Sequence, residues 1–177
     1  AEVLPTLVSR CRRVNFKPLD EGLIAAELGR RGLAPEAARL KAALSGGSLG
    51  RALELDQERL AASLRTWRER LAQPADPLTD WSLAEELVAP FRGGERLDRQ
   101  GLVELLDLLA LYLRDCAVVA AGRPGATFLP PELLAGAGVN LDRASRGFDL
   151  VRQAQSQILG NAAPELALTV LLGQLRA

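Results

Sequence analysis

The amino-acid sequence predicts an all-α fold. Apolar side chains recur three, four or seven positions apart through most of the chain, which is the spacing of one face of an α-helix. Glycine and proline separate these stretches at positions typical of helix ends and helix starts. The 177 residues are 48% hydrophobic and 25% charged, which is enough for one domain with a real core or for two small ones.

The first residues predict a short helix followed by an extended stretch. Pro5 suits the first turn of a helix, where its missing N–H costs nothing. Arg10 then lies near the far end of that helix, before a β-type stretch in which Val14 and Phe16 point the same way. A guanidinium is always charged and its planar fork can bind two phosphate oxygens at once. Taken alone, Arg10 has the ordinary alternative of a solvated arginine beside a small buried cysteine, Cys11.

Three short helices are predicted next, and together they make a small bundle. Asp20 is a good N-cap for the first, which stops at Gly32. The second opens with Pro35 at its first position and ends at Gly46-Gly47. Ser48 caps the third. Apolar residues at helical spacing continue from there to Leu71, but the stretch Asp56 to Arg59 in the middle is polar. The pattern fits either one long helix or two helices joined at this stretch.

A turn-rich linker, Gln73 to Pro77, separates this region from further helices. We expect a helix from about Asp80 to Phe91, ended by Gly93-Gly94, and then a long helix from about Asp98 to Ala121. The long helix is apolar nearly all round, which indicates burial on more than one side. In a chain of this size, that indicates either a central helix or a subunit interface. The helix carries more apolar surface than a two-sided helix in a small domain requires, so we expect part of it, for instance Leu108 or Leu111, to be exposed and to face other subunits.

The C-terminal part predicts a loop and two more helices. Residues 122–131 form the loop, and Leu141 to Leu159 follow helical spacing. Gly160-Asn161 breaks that helix, and Pro164 starts the last one.

The composition excludes several classes of function. Lys+Arg and Asp+Glu balance at 22 each, so no strong field favours nucleic acid or an anionic membrane. The chain has no histidine, and its two cysteines, Cys11 and Cys116, lack metal-ligand or C-x-x-C spacing. We therefore expect no metal, no cofactor and no enzymatic activity from this chain, and a cytosolic protein with buried thiols. Glu104 and Asp107 interrupt the most apolar run, so no membrane span is predicted.

The run Leu4 to Cys11, which contains Ser9-Arg10-Cys11, resembles the clamp-loader branch of the AAA+ ATPases. In that family a Ser-Arg-Cys motif carries an arginine that reaches into the ATP site of a neighbouring subunit. The resemblance implies that Arg10 is an arginine finger acting in trans, and that Ser9 and Cys11 position it. Because this motif stands at the very start of the sequence, we expect the chain to be the C-terminal part of a longer protein.

The turn Gly46-Gly47-Ser48-Leu49-Gly50-Arg51 resembles the lid domain of bacterial clamp loaders. In nucleotide-hydrolysing members an arginine follows the Gly-Ser-Leu turn and touches the bound phosphates. Here Gly50 occupies that register and the arginine is displaced to Arg51, by one residue or about 100° of helix. This departure favours the delta-prime type over the gamma/tau motor type. Close packing of helix on helix is the structural alternative for Gly50.

Two looser patterns, Tyr112 to Asp115 and Asn161 to Leu168, also resemble delta-prime subunits. The resemblance implies three parts: residues 1–17 as the helix-strand end of an AAA+ core, 18–57 as a three-helix lid, and 58–177 as a helical collar for oligomerisation. It also implies a cytoplasmic, non-motor subunit of the DNA polymerase III holoenzyme, a DNA-directed DNA polymerase (a nucleotidyltransferase). The expected partners are motor (gamma/tau) and delta subunits, with the sliding clamp and primed DNA reached through the complex.

Two alternatives remain at this point. One is the gamma/tau motor subunit of the same complex, which requires a phosphate loop; no G-x-x-x-x-G-K-[ST] motif occurs in this sequence. The other is a helical scaffold or adaptor with no nucleotide role, whose apolar stripes bind partner helices.

Overall fold

The computed structural model describes residues 16–74, 76–93, 96–134 and 140–176. This part of the chain is mostly helical, as the sequence predicted. The expected N-terminal helix, and all but the last residues of the expected AAA+ core end, lie outside it. The α-helices are α1 (Glu21–Arg30), α2 (Pro35–Leu44), α3 (Leu49–Glu54), α4 (Gln57–Leu71), α5 (Pro77–Val88), α6 (Arg99–Ala120), α7 (Pro131–Leu134), α8 (Leu141–Leu159) and α9 (Pro164–Arg176).

Helices α1 to α3 begin where the sequence predicted. The Asp20 carboxylate accepts a hydrogen bond from the Gly22 N–H at 2.8 Å, Pro35 opens α2, and the Ser48 hydroxyl accepts from the Arg51 N–H at 3.4 Å. We call residues 16–56 the small unit and residues 57–176 the large bundle. The small unit has its own hydrophobic cluster, whose buried members are Ile24, Leu28, Ala38, Ala42 and Ala52.

The polar stretch after α3 is a break between two helices. Leu55 has an extended backbone, with φ −62° and ψ 124°, so α3 ends at Glu54 and α4 begins at Gln57. The expected start of the next helix at Asp80 is three residues too late. Asp76 caps α5 by accepting the Thr79 N–H at 3.0 Å, and Pro77 takes the first helical position. An N-cap followed by proline resembles a linker in sequence, and this is why the start was misplaced.

A short hairpin connects α5 to α6 where the sequence predicted only a glycine stop. A 3₁₀ turn (Ala89–Phe91) leads into two short strands, β1 (Arg92–Gly93) and β2 (Arg96–Leu97). They pair antiparallel, with Arg92 opposite Leu97. The Asp98 N–H donates to the Phe91 carbonyl at 2.8 Å and closes the connection.

Helix α6 is the centre of the large bundle. It packs most extensively on α8, and it also contacts α2, α4, α7 and the segment 124–126. Leu108 is only 1% exposed, so the expectation that it is exposed for partner subunits is wrong, and Leu111 is half-buried against the core. A helix with neighbours on so many sides uses most of its apolar surface within the chain.

The last helix is attached to the large bundle by both apolar and polar contacts. Helix α9 packs against α5 and α8, and the carboxylate of Asp80 pairs with the guanidinium of Arg176. Both side chains are buried, at 2% and 1% exposure. Among the helices in the described ranges, none is long and apolar enough to cross a membrane.

Candidate functional site

The predicted arginine finger, Arg10, and the residues expected to position it, Ser9 and Cys11, lie outside the described residues. The structure does describe the other three sequence motifs: the glycine-rich turn before α3, the stretch Tyr112 to Asp115, and the stretch Asn161 to Leu168.

The glycine-rich turn joins α2 to α3 and supports the start of the described chain. Gly46 and Gly47 have φ values of +59° and +81°, a region that side chains rarely adopt. The Leu19 N–H donates to the Gly47 carbonyl at 2.9 Å. A Cβ added at Gly47 would lie 2.3 Å from the Cβ of Pro18. The second glycine is therefore required both by its backbone conformation and by the close approach of the chain before α1.

Gly50 and Arg51 have different environments. Gly50 is exposed, and a Cβ added there would meet only the Ser48 hydroxyl, at 3.9 Å. The alternative that Gly50 permits close helix packing is therefore wrong. The Arg51 guanidinium lies 3.1 Å from the Glu104 carboxylate of α6, with the two side chains 35% and 37% exposed. The arginine of the turn thus contacts the large bundle.

A cleft of about 440 Å³ lies beside this contact, between the small unit and the large bundle. Its described lining includes the apolar side chains of Leu105 and Leu108 and the guanidinium of Arg51. Four carboxylate side chains also line it: Glu54, Asp56, Asp98 and Glu104. Among these described residues carboxylates outnumber guanidinium groups, which opposes the binding of an anion such as a nucleotide phosphate.

The stretch Tyr112 to Asp115 organises a loop of the large bundle. Asp115 is fully buried, and its carboxylate accepts the N–H groups of Phe128 and Leu129 at 2.8 and 2.7 Å. The same carboxylate pairs with the Arg114 guanidinium. These contacts satisfy a buried charge and fix the loop that follows α6.

Burial raises the pKa of Tyr112 and of Cys116, one turn apart on α6. The two side chains also hydrogen-bond to each other, which raises the pKa of the Tyr112 phenol further and partly offsets the effect on the Cys116 thiol. Cys116 is 4% exposed. A buried thiol with a raised pKa stays protonated and unreactive at neutral pH, so this cysteine is structural.

The stretch Asn161 to Leu168 forms the corner between α8 and α9. Asn161 has φ +69°, and Pro164 starts α9 in a buried position. The Arg99 guanidinium donates to the carbonyls of Ile158 and Ala162, at 2.8 and 2.9 Å. An arginine from the start of α6 thus joins that helix to the end of α8 and to the corner before α9.

Comparison of the chain with protein-family models, with curated proteins and with solved structures finds no match. In the described ranges, no three side chains of His, Cys, Asp or Glu are grouped so that they could hold a metal ion.

Several contacts between distant residues had no signal in the sequence. Arg39 and Arg114 lie over the Phe128 ring, and Asp80 pairs with Arg176, 96 positions away. Asp80 occupies an ordinary place in the first turn of a helix, and Arg176 one in a last turn. Helix ends favour charges of these signs whether or not they pair, so the pattern did not reveal the partner.

Proposed function

We propose that this chain belongs to a delta-prime-type subunit of a bacterial DNA polymerase III clamp loader. The observation that carries the proposal is the order of its motifs. Ser9-Arg10-Cys11 is followed by three short helices, and the turn Gly46 to Arg51 begins the third. In this proposal the three helices are the lid, and the bundle built around α6 is the collar through which subunits assemble.

The surroundings of the glycine-rich turn support a non-motor subunit. The position where nucleotide-hydrolysing members carry a phosphate-contacting arginine is Gly50, which is exposed and has no side chain. The neighbouring Arg51 is paired with Glu104. The cleft next to it carries more carboxylates than guanidinium groups. A lid of this kind contributes no arginine to a nucleotide of its own subunit.

The proposed contribution to catalysis is made by Arg10 in the ATP site of an adjacent motor subunit. Phosphoryl transfer places negative charge on the transferring group and on the bridging oxygen, and a positioned guanidinium stabilises that charge more in the transition state than in the ground state. Arginine fingers supplied in trans raise the rate on the order of 10³–10⁵-fold where one site depends on them. Coupled to clamp opening and release, this contribution would help load the sliding clamp on primed DNA.

The experiment is loading of the clamp onto primed DNA by the reconstituted complex that contains the full-length subunit. We expect Arg10→Ala to abolish most loading while it leaves assembly intact, since the proposed role of Arg10 is in the transition state of the neighbouring site and not in the fold of its own chain. Total ATP turnover should fall much less, because Arg10 serves only one of several sites. Arg10→Lys should rescue poorly, since lysine keeps the charge and loses the fork.

Arg12→Ala is the matched control, because it removes a neighbouring arginine outside the Ser-Arg-Cys motif. Loading at the wild-type rate with Arg10→Ala would show that Arg10 is not an arginine finger. An equal loss of loading with Arg12→Ala would show that general positive charge, and not a finger, is what this region provides.

A further inference from the structure

Three arginines from three different helices converge on one segment, residues 126–132, which includes the first two residues of α7. They come from α2 of the small unit and from α4 and α6 of the large bundle. Each donates a hydrogen bond to a main-chain carbonyl of the segment: Arg39 to Thr127 at 3.2 Å, Arg68 to Glu132 at 3.1 Å, and Arg114 to Ala126 at 3.0 Å.

The ring of Phe128 lies in the middle of this arrangement. The Arg39 guanidinium lies 5.8 Å from the ring centroid and the Arg114 guanidinium 4.7 Å from it. Both distances are within the range in which a guanidinium is attracted to the face of an aromatic ring. Phe128 is half-buried, so solvent screens these contacts only in part. One aromatic side chain is thus contacted by a cation from each of the two units.

The segment itself is attached firmly to the large bundle. The buried Asp115 carboxylate holds the N–H groups of Phe128 and Leu129, and the Leu129 side chain is 2% exposed in the large core. Arg39 is by contrast exposed and belongs to the small unit. The contacts of Arg39 with Thr127 and Phe128 therefore join the small unit to a fixed point of the large bundle.

A second contact joins the two units elsewhere on α6. The Arg51–Glu104 pair lies ten positions before Arg114, or about 15 Å along the helix axis at about 1.5 Å per residue. Leu40 and Leu44 of α2 also enter the hydrophobic core of the large bundle. The small unit is thus joined to the large bundle by two polar contacts and by apolar contacts of α2.

We propose that residues 126–132 couple the small unit to the large bundle through Phe128 and Arg39, so that loss of either side chain loosens the small unit while the large bundle stays closed. If the three arginines served only to donate hydrogen bonds to main-chain carbonyls of the segment, no aromatic ring would be needed between two of them. The coupling is independent of the proposed function, since it involves neither Arg10 nor the glycine-rich turn.

Amide hydrogen exchange on the full chain tests this coupling, because it reports the opening of each unit separately. The variants are Arg39→Gln, which removes the cation, and Phe128→Leu, which removes the ring but keeps apolar bulk. Phe128→Tyr keeps the ring face. Arg31→Gln is the matched control, since Arg31 is an exposed arginine of the small unit that pairs with Glu27 within its own region.

We expect Arg39→Gln and Phe128→Leu to accelerate exchange in α1–α3 about two- to tenfold, the range for losing a partly exposed cation–π contact between the two units. Exchange in α8 and α9 should not change. Phe128→Tyr and Arg31→Gln should leave amide exchange in α1–α3 at the wild-type rate. Wild-type exchange with both Arg39→Gln and Phe128→Leu, or equal acceleration in both units, would overturn the coupling.

Discussion

The small unit and the large bundle differ in how each is stabilised. The buried cluster of the small unit contains three alanines and only two large side chains, Ile24 and Leu28. The large core surrounds α6 and contains many leucines together with Trp67 and Tyr112. Since apolar stabilisation scales roughly with the area removed from water, at about 25 cal/mol per Å², the small cluster contributes far less. The small unit therefore depends on the large bundle.

Helix α2 makes the contacts through which the small unit depends on the large bundle. Ala38 and Ala42 face the small cluster, while Leu40 and Leu44 belong to the large core. One helix thus serves two cores, with small residues on one side and large ones on the other. Substitutions in the two regions should therefore differ in their cost to stability.

Breaking the buried ion pair should have the largest effect. Asp80→Ala leaves the Arg176 guanidinium buried without its counter-charge, and we expect a loss of about 3–5 kcal/mol in the free energy of unfolding. Urea denaturation followed by circular dichroism and by the fluorescence of the buried Trp67 measures it. Because the small unit depends on the large bundle, both should unfold in the same transition. Separate transitions would contradict the dependence.

A paired replacement distinguishes the charge from the packing. Two nitrogens of Arg176, Nε and Nη2, are buried without a hydrogen-bond partner in the described part of the chain. We therefore expect Asp80→Leu combined with Arg176→Met to recover most of the lost stability, as apolar replacements of buried pairs often do. Failure to recover would show that the pair fixes α5 against α9 in a way that apolar packing does not replace.

Removing a leucine that joins the two cores should have the next largest effect. Leu44→Ala deletes a side chain that is 7% exposed and packed in the large core, and we expect a cost of about 2–4 kcal/mol in the free energy of unfolding. Leu53→Ala is the control, because Leu53 is 42% exposed on α3 of the same unit, and it should cost under about 0.5 kcal/mol. Equal costs would mean that α2 does not anchor the small unit.

The two glycines of the turn should respond in opposite directions. Gly47→Ala places a side chain on a left-handed backbone and brings its Cβ within 2.3 Å of the Pro18 Cβ. We expect a loss of about 1–3 kcal/mol in the free energy of unfolding. Gly50→Ala has open space within α3 and should gain up to about 1 kcal/mol from helix propensity. Thermal unfolding of the two variants measures both. Destabilisation by Gly50→Ala would restore a packing role for that glycine.

Much of the fold could be predicted because helix ends are local. Asp20, Pro35 and Ser48 satisfy or remove main-chain donors within their own turns, and each begins a helix as expected. Asn161 and Pro164 likewise mark the corner before α9. The hairpin of β1 and β2 could not be predicted in this way, because strands of two residues are too short to carry a periodic pattern.

The helical class, most helix boundaries and the positions of the motifs follow from the amino-acid sequence alone, since caps, proline and glycine act on neighbouring residues. Which charges meet and which apolar faces are covered depends on how the helices pack. Leu108 has the pattern of surplus apolar surface, but the neighbours of α6 cover it. Arg51 of α3 meets Glu104 of α6, and Arg39 of α2 meets Phe128 in the loop after α6. Such contacts depend on how helices pack, and a periodic pattern records only that a face is apolar.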